Sequence, residues 1–405
     1  MSRIDTAALL ATTRAGFELP AGKVYLDGNS LGPLHREVRE QTLCVLRDEW
    51  GEDLIAGWNK HDWINLPLTV GDQLARLLGA DTGEVLCCDN LSINLFKALA
   101  AALQLNAPRT RIVTEATHFP TDNYIADGLA QLLGPTTCYV DALPLAEIEQ
   151  LDFSDVAVLS LAHVDFRTGH CRDLPALTRR AQADGALVLW DLAHSAGVVD
   201  TALNRNQVDL AVGCTYKFLN GGPGAPGFLY VAQRHQHADN VIPGWMGHAD
   251  RFAFEPTYRP VKGIGRFLTG TQSVIAMAAA RAALSVFDTL DIATLRQHSL
   301  QLSDALVAAL QGHAATAEVE CLTPMAHAQR GSQISLRLPQ GYPISQALIE
   351  RGVIVDFREP DIVRFGIAPL YNHIDDIEQG VEALADILTT RCYEEPRFNQ
   401  RHTVT

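Results

Sequence analysis

Between residues 85 and 231, short apolar runs alternate with longer segments of helical periodicity, and this alternation constrains the fold more than any other property of the chain. The runs lie at 84–88, 111–114, 156–161, 186–190, 209–212 and 227–231. Such a pattern predicts parallel strands joined by crossover helices. In sheets of that kind ligands gather at the carboxyl ends of the strands. The chemically interesting residues of this chain follow those runs.

The run at 186–190 leads into Asp191, with His194 three residues further on, and the run at 209–212 leads into a turn that holds Tyr216 and Lys217 and is rich in glycine up to Gly224. The lysines are Lys23, Lys60, Lys97, Lys217 and Lys262, and only Lys217 sits in a polar, glycine-rich turn. An amine placed this way, with a carboxylate at the end of a nearby strand, suits pyridoxal phosphate. The lysine forms a Schiff base, and the acid keeps the pyridine nitrogen protonated so that the ring can accept electrons. A solvated turn lysine and a helix-capping aspartate form the competing reading of this pair, and the rest of the chain decides between them.

Such a site also needs a cradle for the phosphate and a group on the ring face. The segment 90–94 follows the first apolar run and opens a helical pattern at 95–105, so backbone N–H groups near Leu91 and Ser92 can face a dianion; read locally, Ser92 is an N-cap. Phe119 follows the strand at 111–114 and can cover the ring face, with Asp122 reaching the ring hydroxyl region. Phe119 as a core residue and His194 as a structural histidine are the plain alternatives. Tyr216 can hold a phosphate oxygen or pass a proton. Trp245 and Thr271 lie in glycine-punctuated loops, where side chains commonly face ligands or subunit contacts. Arg364 falls in an apolar strand and is the candidate for a substrate carboxylate, the alternative being a buried ion pair with Asp356 or Asp361.

At 405 residues and 47% hydrophobic content, the chain exceeds the ~250–300 residues at which single cores stop growing. Two domains are expected. A large domain spans 51–285, and a smaller α+β domain combines 1–50 with 286–405. The smaller one has strand candidates at 333–338, 353–356 and 362–366 and helical patterns at 344–351 and 373–389. An alanine-rich stretch, 272–290, reads as one long helix leading out of the large domain, and 399–405 reads as a frayed tail. A net charge of −15 without a basic run argues against nucleic acid and anionic membranes. With no apolar stretch of membrane-spanning length and no export signal at the N-terminus, a cytoplasmic location is expected. The eight cysteines follow neither a disulfide framework nor a zinc spacing, so no metal is expected.

Together these residues resemble the kynureninases, which are fold-type I pyridoxal phosphate enzymes of the class V aminotransferase group. The resemblance runs through nearly the whole chain. It is carried by Asp-Gly-Asn-Ser-Leu-Gly within 25–33 and by 118–122, 166–169, 191–197, 216–220, 244–245 and 269–271, with Arg364 and 369–372 near the end. It implies phosphate contacts from Leu91, Ser92 and Tyr216, ring stacking by Phe119, and cofactor contacts from Asp122, Asp191 and His194. Lys217 would carry the cofactor, Trp245 would lie near its phosphate, and Thr271 would reach across from a second subunit of a homodimer. Arg364 and Asn29 would contact substrate, with Trp63 and Trp58 as candidates for the wall facing the aryl ring. The implied reaction is hydrolysis of L-kynurenine, or its 3-hydroxy derivative, to anthranilate, or 3-hydroxyanthranilate, and L-alanine, a step of tryptophan catabolism and of NAD biosynthesis. In place of the family's usual asparagine and tyrosine before Arg-Thr-Gly stand Asp165 and Phe166, which weakens any role for that turn. The rival reading is a cysteine desulfurase or selenocysteine lyase. It needs a nucleophilic cysteine on a mobile C-terminal loop, and neither Cys321, in the strand-like 319–322, nor Cys392 is placed on one.

Overall fold

The computed structural model describes residues 6–401. Residues 2–5, part of the segment read for export, and 402–405 of the expected tail lie outside the described residues. All six apolar runs form strands of one seven-stranded sheet: β1 (Val85–Cys87), β2 (Arg111–Glu115), β4 (Val156–Ala162), β5 (Leu187–Asp191), β6 (Leu210–Cys214) and β7 (Gly227–Val231), joined by β3 (Tyr139–Leu143). Their order is β1-β7-β6-β5-β4-β2-β3. β2, β3, β4, β5 and β6 pair in parallel, and β7 is antiparallel to both β6 and β1. The architecture is α/β, as the alternation predicts. β3 was not expected. It is an edge strand, half-exposed along its length, so it never needed the continuous apolar run that marks its buried neighbours.

Helices cover the sheet because their caps start them at the strand ends. Asn90 accepts a hydrogen bond from the Ile93 N–H at 3.0 Å and opens the helix Leu91–Leu105. Asp173 does the same for Leu174–Ala183 through the Ala176 N–H at 2.9 Å. Trp190, fully buried in β5, donates from Nε1 to Thr178 Oγ1 at 3.0 Å and so fixes that helix on the sheet.

The expected single helix over 272–290 is two elements. One helix runs Val274–Ser285, and after a short break Asp291 caps a new helix, Ile292–Gly312, by accepting from the Thr294 N–H. The alanine-rich composition carried the helical signal, and the capping aspartate marked where it restarts. Beyond it, β8 (Glu320–Cys321), β9 (Gln333–Arg337), β10 (Asp356–Arg358) and β11 (Ile362–Gly366) form an antiparallel sheet in the order β10-β11-β9-β8. The expected strand at 353–356 is divided. Val353–Ile354 pairs in parallel with Val24–Tyr25, while Asp356 begins β10. Val24 and Leu26 share a core with Leu306, Leu336, Phe365 and Leu384, so the N-terminal segment packs on the C-terminal sheet. Residues 399–401 are not frayed: Phe398 is buried, Gln400 O accepts from the Tyr342 hydroxyl at 2.8 Å, and the Arg401 guanidinium sits 4.0 Å over the Tyr342 ring.

Candidate active site

At the carboxyl ends of β1, β2, β4, β5 and β6, the loops enclose a cavity of ≈ 230 Å³. Eight of the residues expected from sequence line it: Leu91, Ser92, Phe119, Asp122, Asp191, His194, Tyr216 and Lys217. Lys217 Nζ lies 2.9 Å from His194 Nε2. Burial first, and the Lys217 charge second, hold His194 well below the usual histidine pKa, so its ring is neutral and accepts from the ammonium.

Asp191 ends β5 and accepts from the Ala193 N–H at 2.8 Å. Burial, then the nearby Asp122 carboxylate, raise its pKa to about 7, against the opposing pull of His118 and Lys217. His118 Nδ1 lies 2.8 Å from Asp122 Oδ2 as an ion pair, without hydrogen-bond alignment. Burial opposes a charge on His118, but the Asp122 carboxylate outweighs it and the pKa is raised. Burial also pushes the Tyr216 hydroxyl above its ordinary range and keeps it protonated.

Sequence reasoning gave no role to His118 and read the role of the turn after β4 as weakened by its departure from the family pattern. Asp165 and Phe166 line the cavity. The Phe166 ring meets Phe119 edge-on at a centroid distance of 5.1 Å, and Asp165 Oδ1 shapes the turn by accepting from the Thr168 N–H at 2.7 Å. Beneath them Arg172 pairs with Glu115.

The remaining expected residues stand outside the cavity lining. Arg364 is 1% exposed; its Nε donates to Asp356 Oδ1 at 2.6 Å, Nη2 pairs with Asp356 Oδ2 and donates to Ser30 Oγ at 3.0 Å, and Nη1 donates to the Phe166 carbonyl. The ion pair with Asp356 weighed from sequence is therefore formed. Asn29 is buried against Gly366, 3.3 Å from Gln333 Oε1, with its own Oδ1 unpartnered. The block around it reaches the lysine turn: the Gly32 N–H donates to Tyr216 O at 2.8 Å, and a Cβ at Gly32 would stand 2.5 Å from Lys217 O.

Trp63 donates to Glu49 Oε2 at 2.8 Å, meets Trp58 edge-on, and lines a separate apolar cavity with Trp50 and Ile275. Trp245 is 39% exposed beside Phe252, and Thr271 is exposed. A larger cavity of ≈ 620 Å³, lined by Arg14, His298 and His373 among others, has neither lysine nor carboxylate on its walls. Cys321 and Cys392 are absent from the site cavity.

The donor set fits pyridoxal phosphate. Buried polar atoms without a hydrogen bond stand at His118, Asp122 and His194 Nδ1, and a buried carboxylate and an amine line the same small cavity, beside a helix start. The profile of the kynureninase C-terminal domain matches residues 295–384. The chain is 48% identical over 408 residues to a kynureninase of Burkholderia pseudomallei (strain 1106a), covering 99% of this chain and 98% of that one. It is 44% identical over 409 residues to a kynureninase of Pseudomonas fluorescens, with the same coverage. Among solved structures, the apo cysteine desulfurase of Thermococcus onnurineus NA1 superposes with a TM-score of 0.78 at 17% identity, over 94% of this chain and 98% of that one. A C-DES variant with glycine covalently linked to its PLP cofactor superposes with a TM-score of 0.78 at 22% identity, over 92% and 99%. At those identities the likeness establishes the fold of PLP-dependent enzymes.

Proposed function

Because the chain belongs to the kynureninase family, we propose that its cavity binds pyridoxal phosphate and L-kynurenine and hydrolyses the substrate to anthranilate and L-alanine. The observation that carries this reading is the convergence of Lys217, His194, Asp191, Asp122 and Phe119 on one cavity at the strand ends. The bound cofactor supplies an electron sink conjugated to the substrate Cα.

Lys217 would hold the cofactor and Asp191 would keep its ring protonated, a positive charge that favours the ionised carboxylate burial alone disfavours. Phe119, 43% exposed, would cover the ring. Leu91 and Ser92 offer N–H groups at the helix start, and Tyr216 with Trp245 adds donors for the phosphate. Arg364 orients the substrate carboxylate; the reading is supported by its contact with the carbonyl of cavity-lining Phe166. Asp356 and Ser30 hold that guanidinium in one plane. Asn29 and Trp63 complete the substrate contacts.

The Lys217 amine would take the substrate Cα proton. Water adds to the γ-carbonyl carbon and the Cβ–Cγ bond breaks. The Cβ of the three-carbon fragment then needs a proton, and the Tyr216 hydroxyl, kept protonated by burial, is the donor.

The exposed apolar side chains around the Trp63 cavity, Trp50, Leu54, Ile55 and Ile275, support a homodimer in which Thr271 reaches the partner's phosphate site. The division into 51–285 and 1–50 with 286–405 is supported by the separate core of the C-terminal sheet. Among the described residues no helix is long and apolar enough to cross a membrane. Parallel turnover measurements on L-kynurenine and its 3-hydroxy derivative test the function: release of the matching anthranilate from at least one is expected, and release from neither overturns the reading.

A further inference from the structure

The cradle segment at the start of the helix Leu91–Leu105 hangs on a residue in an uncommon backbone conformation. Asp89 has φ +45°, in the left-handed region that a non-glycine residue occupies only when its surroundings hold it there. Three groups hold it. Lys97, eight residues on and with its side chain fully buried, brings Nζ to 2.6 Å from Asp89 Oδ2 and donates a second bond to Phe267 O at 2.8 Å. Gln272 accepts from the Asp89 N–H through Oε1 at 3.0 Å. On the strand side, the Gly227 N–H donates to Asp89 O at 2.9 Å, and a Cβ at Gly227 would stand 2.8 Å from Leu91 N, so β7 presses directly on the helix start.

A buried ammonium is costly unless paired, and the other buried residues of the Lys97 helix are alanines, leucines and Asn94. Its two hydrogen bonds connect the turn between β1 and the helix to the segment 267–272. We propose that Lys97, acting on Asp89 together with Gln272, is a positioning residue for the phosphate of the cofactor: it fixes the direction in which the Leu91 and Ser92 N–H groups point. The inference rests on the reading of Leu91 and Ser92 as the phosphate cradle. Lys97 does not touch the cofactor; it holds the backbone that does.

The test titrates the full-length protein, freed of cofactor, with pyridoxal 5′-phosphate and separately with pyridoxal, which lacks the phosphate. Lys97→Met keeps the length of the side chain and removes its charge. It should weaken binding of the phosphorylated form by about tenfold or more, as loss of an outer-shell partner does at ion sites, and leave pyridoxal binding essentially unchanged. Gln272→Ala should shift the same ratio in the same direction, and it reports on the network even if Lys97→Met does not fold. An equal loss for both ligands, or no loss for either, overturns the inference. Ser92→Ala separates the two layers: if it shifts the ratio and Lys97→Met and Gln272→Ala do not, the positioning role falls while the cradle stands. If none of the three shifts it, the cradle reading itself fails.

Discussion

Lys217 Nζ and His194 Nε2 stand 2.9 Å apart at the ends of two adjacent parallel strands, in a cavity where burial keeps the histidine neutral. The histidine can therefore accept a proton-bearing contact from the amine without competing for its charge. If Lys217 carries the cofactor, the purified protein should be yellow. Borohydride reduction should bleach that colour and fix label at Lys217 alone. Label on Lys97, which is buried, would contradict the assignment.

Four of the five N–H groups of the Arg364 guanidinium are engaged, Nε and Nη2 by Asp356, Nη2 also by Ser30 and Nη1 by Phe166, which leaves one on Nη1 for a substrate carboxylate. Arg364→Lys keeps the charge and loses the fork. We expect kcat/KM to fall by about one to two orders of magnitude, roughly 1.4–3 kcal/mol of transition-state stabilisation, with the fold intact by circular dichroism. A near-normal kcat/KM would leave Arg364 to its ion pair and place the carboxylate elsewhere.

Asp191 is raised from 3.8 to about 7 by burial and by Asp122. Between those two values the folded, cofactor-free protein holds a proton that the unfolded chain has released. The contribution of this group to stability is therefore present at low pH and is lost as pH rises towards 7. A protonated ring nitrogen opposite Asp191 removes that penalty. Thermal unfolding from pH 5 to 8 should show the cofactor-free protein losing Tm more steeply than the loaded one, and Asp191→Asn should flatten the difference. Equal slopes in the variant and the parent would place the titration elsewhere.

If Thr271 completes the partner's site, mixing Lys217→Ala with Thr271→Ala subunits should restore about one working site per heterodimer. Full activity from a monomer at high dilution would exclude the shared site.

What the sequence revealed follows the physics of burial. Strands enclosed on both faces, such as β4, need continuous apolar runs and were visible as such, and so were the residues that directly follow them. The edge strand β3, half in water, carried no such run. The break after Ser285 was hidden by the alanine-rich run before it, although Asp291 marked the restart. Long-range pairings were least visible: that Asp356 rather than Asp361 holds Arg364, and that Lys97 spans from its helix to Asp89 and Phe267, depends on the register of distant segments. The departure at Asp165 and Phe166 from the family pattern was read as weakening the role of that turn, and identity at two positions does not show that both line the cavity.

The most direct measurement incubates the loaded protein with L-kynurenine and quantifies anthranilate and L-alanine over time, with L-cysteine as a parallel substrate. Hydrolysis at the Lys217 site predicts equimolar anthranilate and alanine, abolished by Lys217→Ala, and no comparable release of sulfide from cysteine. Sulfide release from cysteine without anthranilate from kynurenine would contradict it.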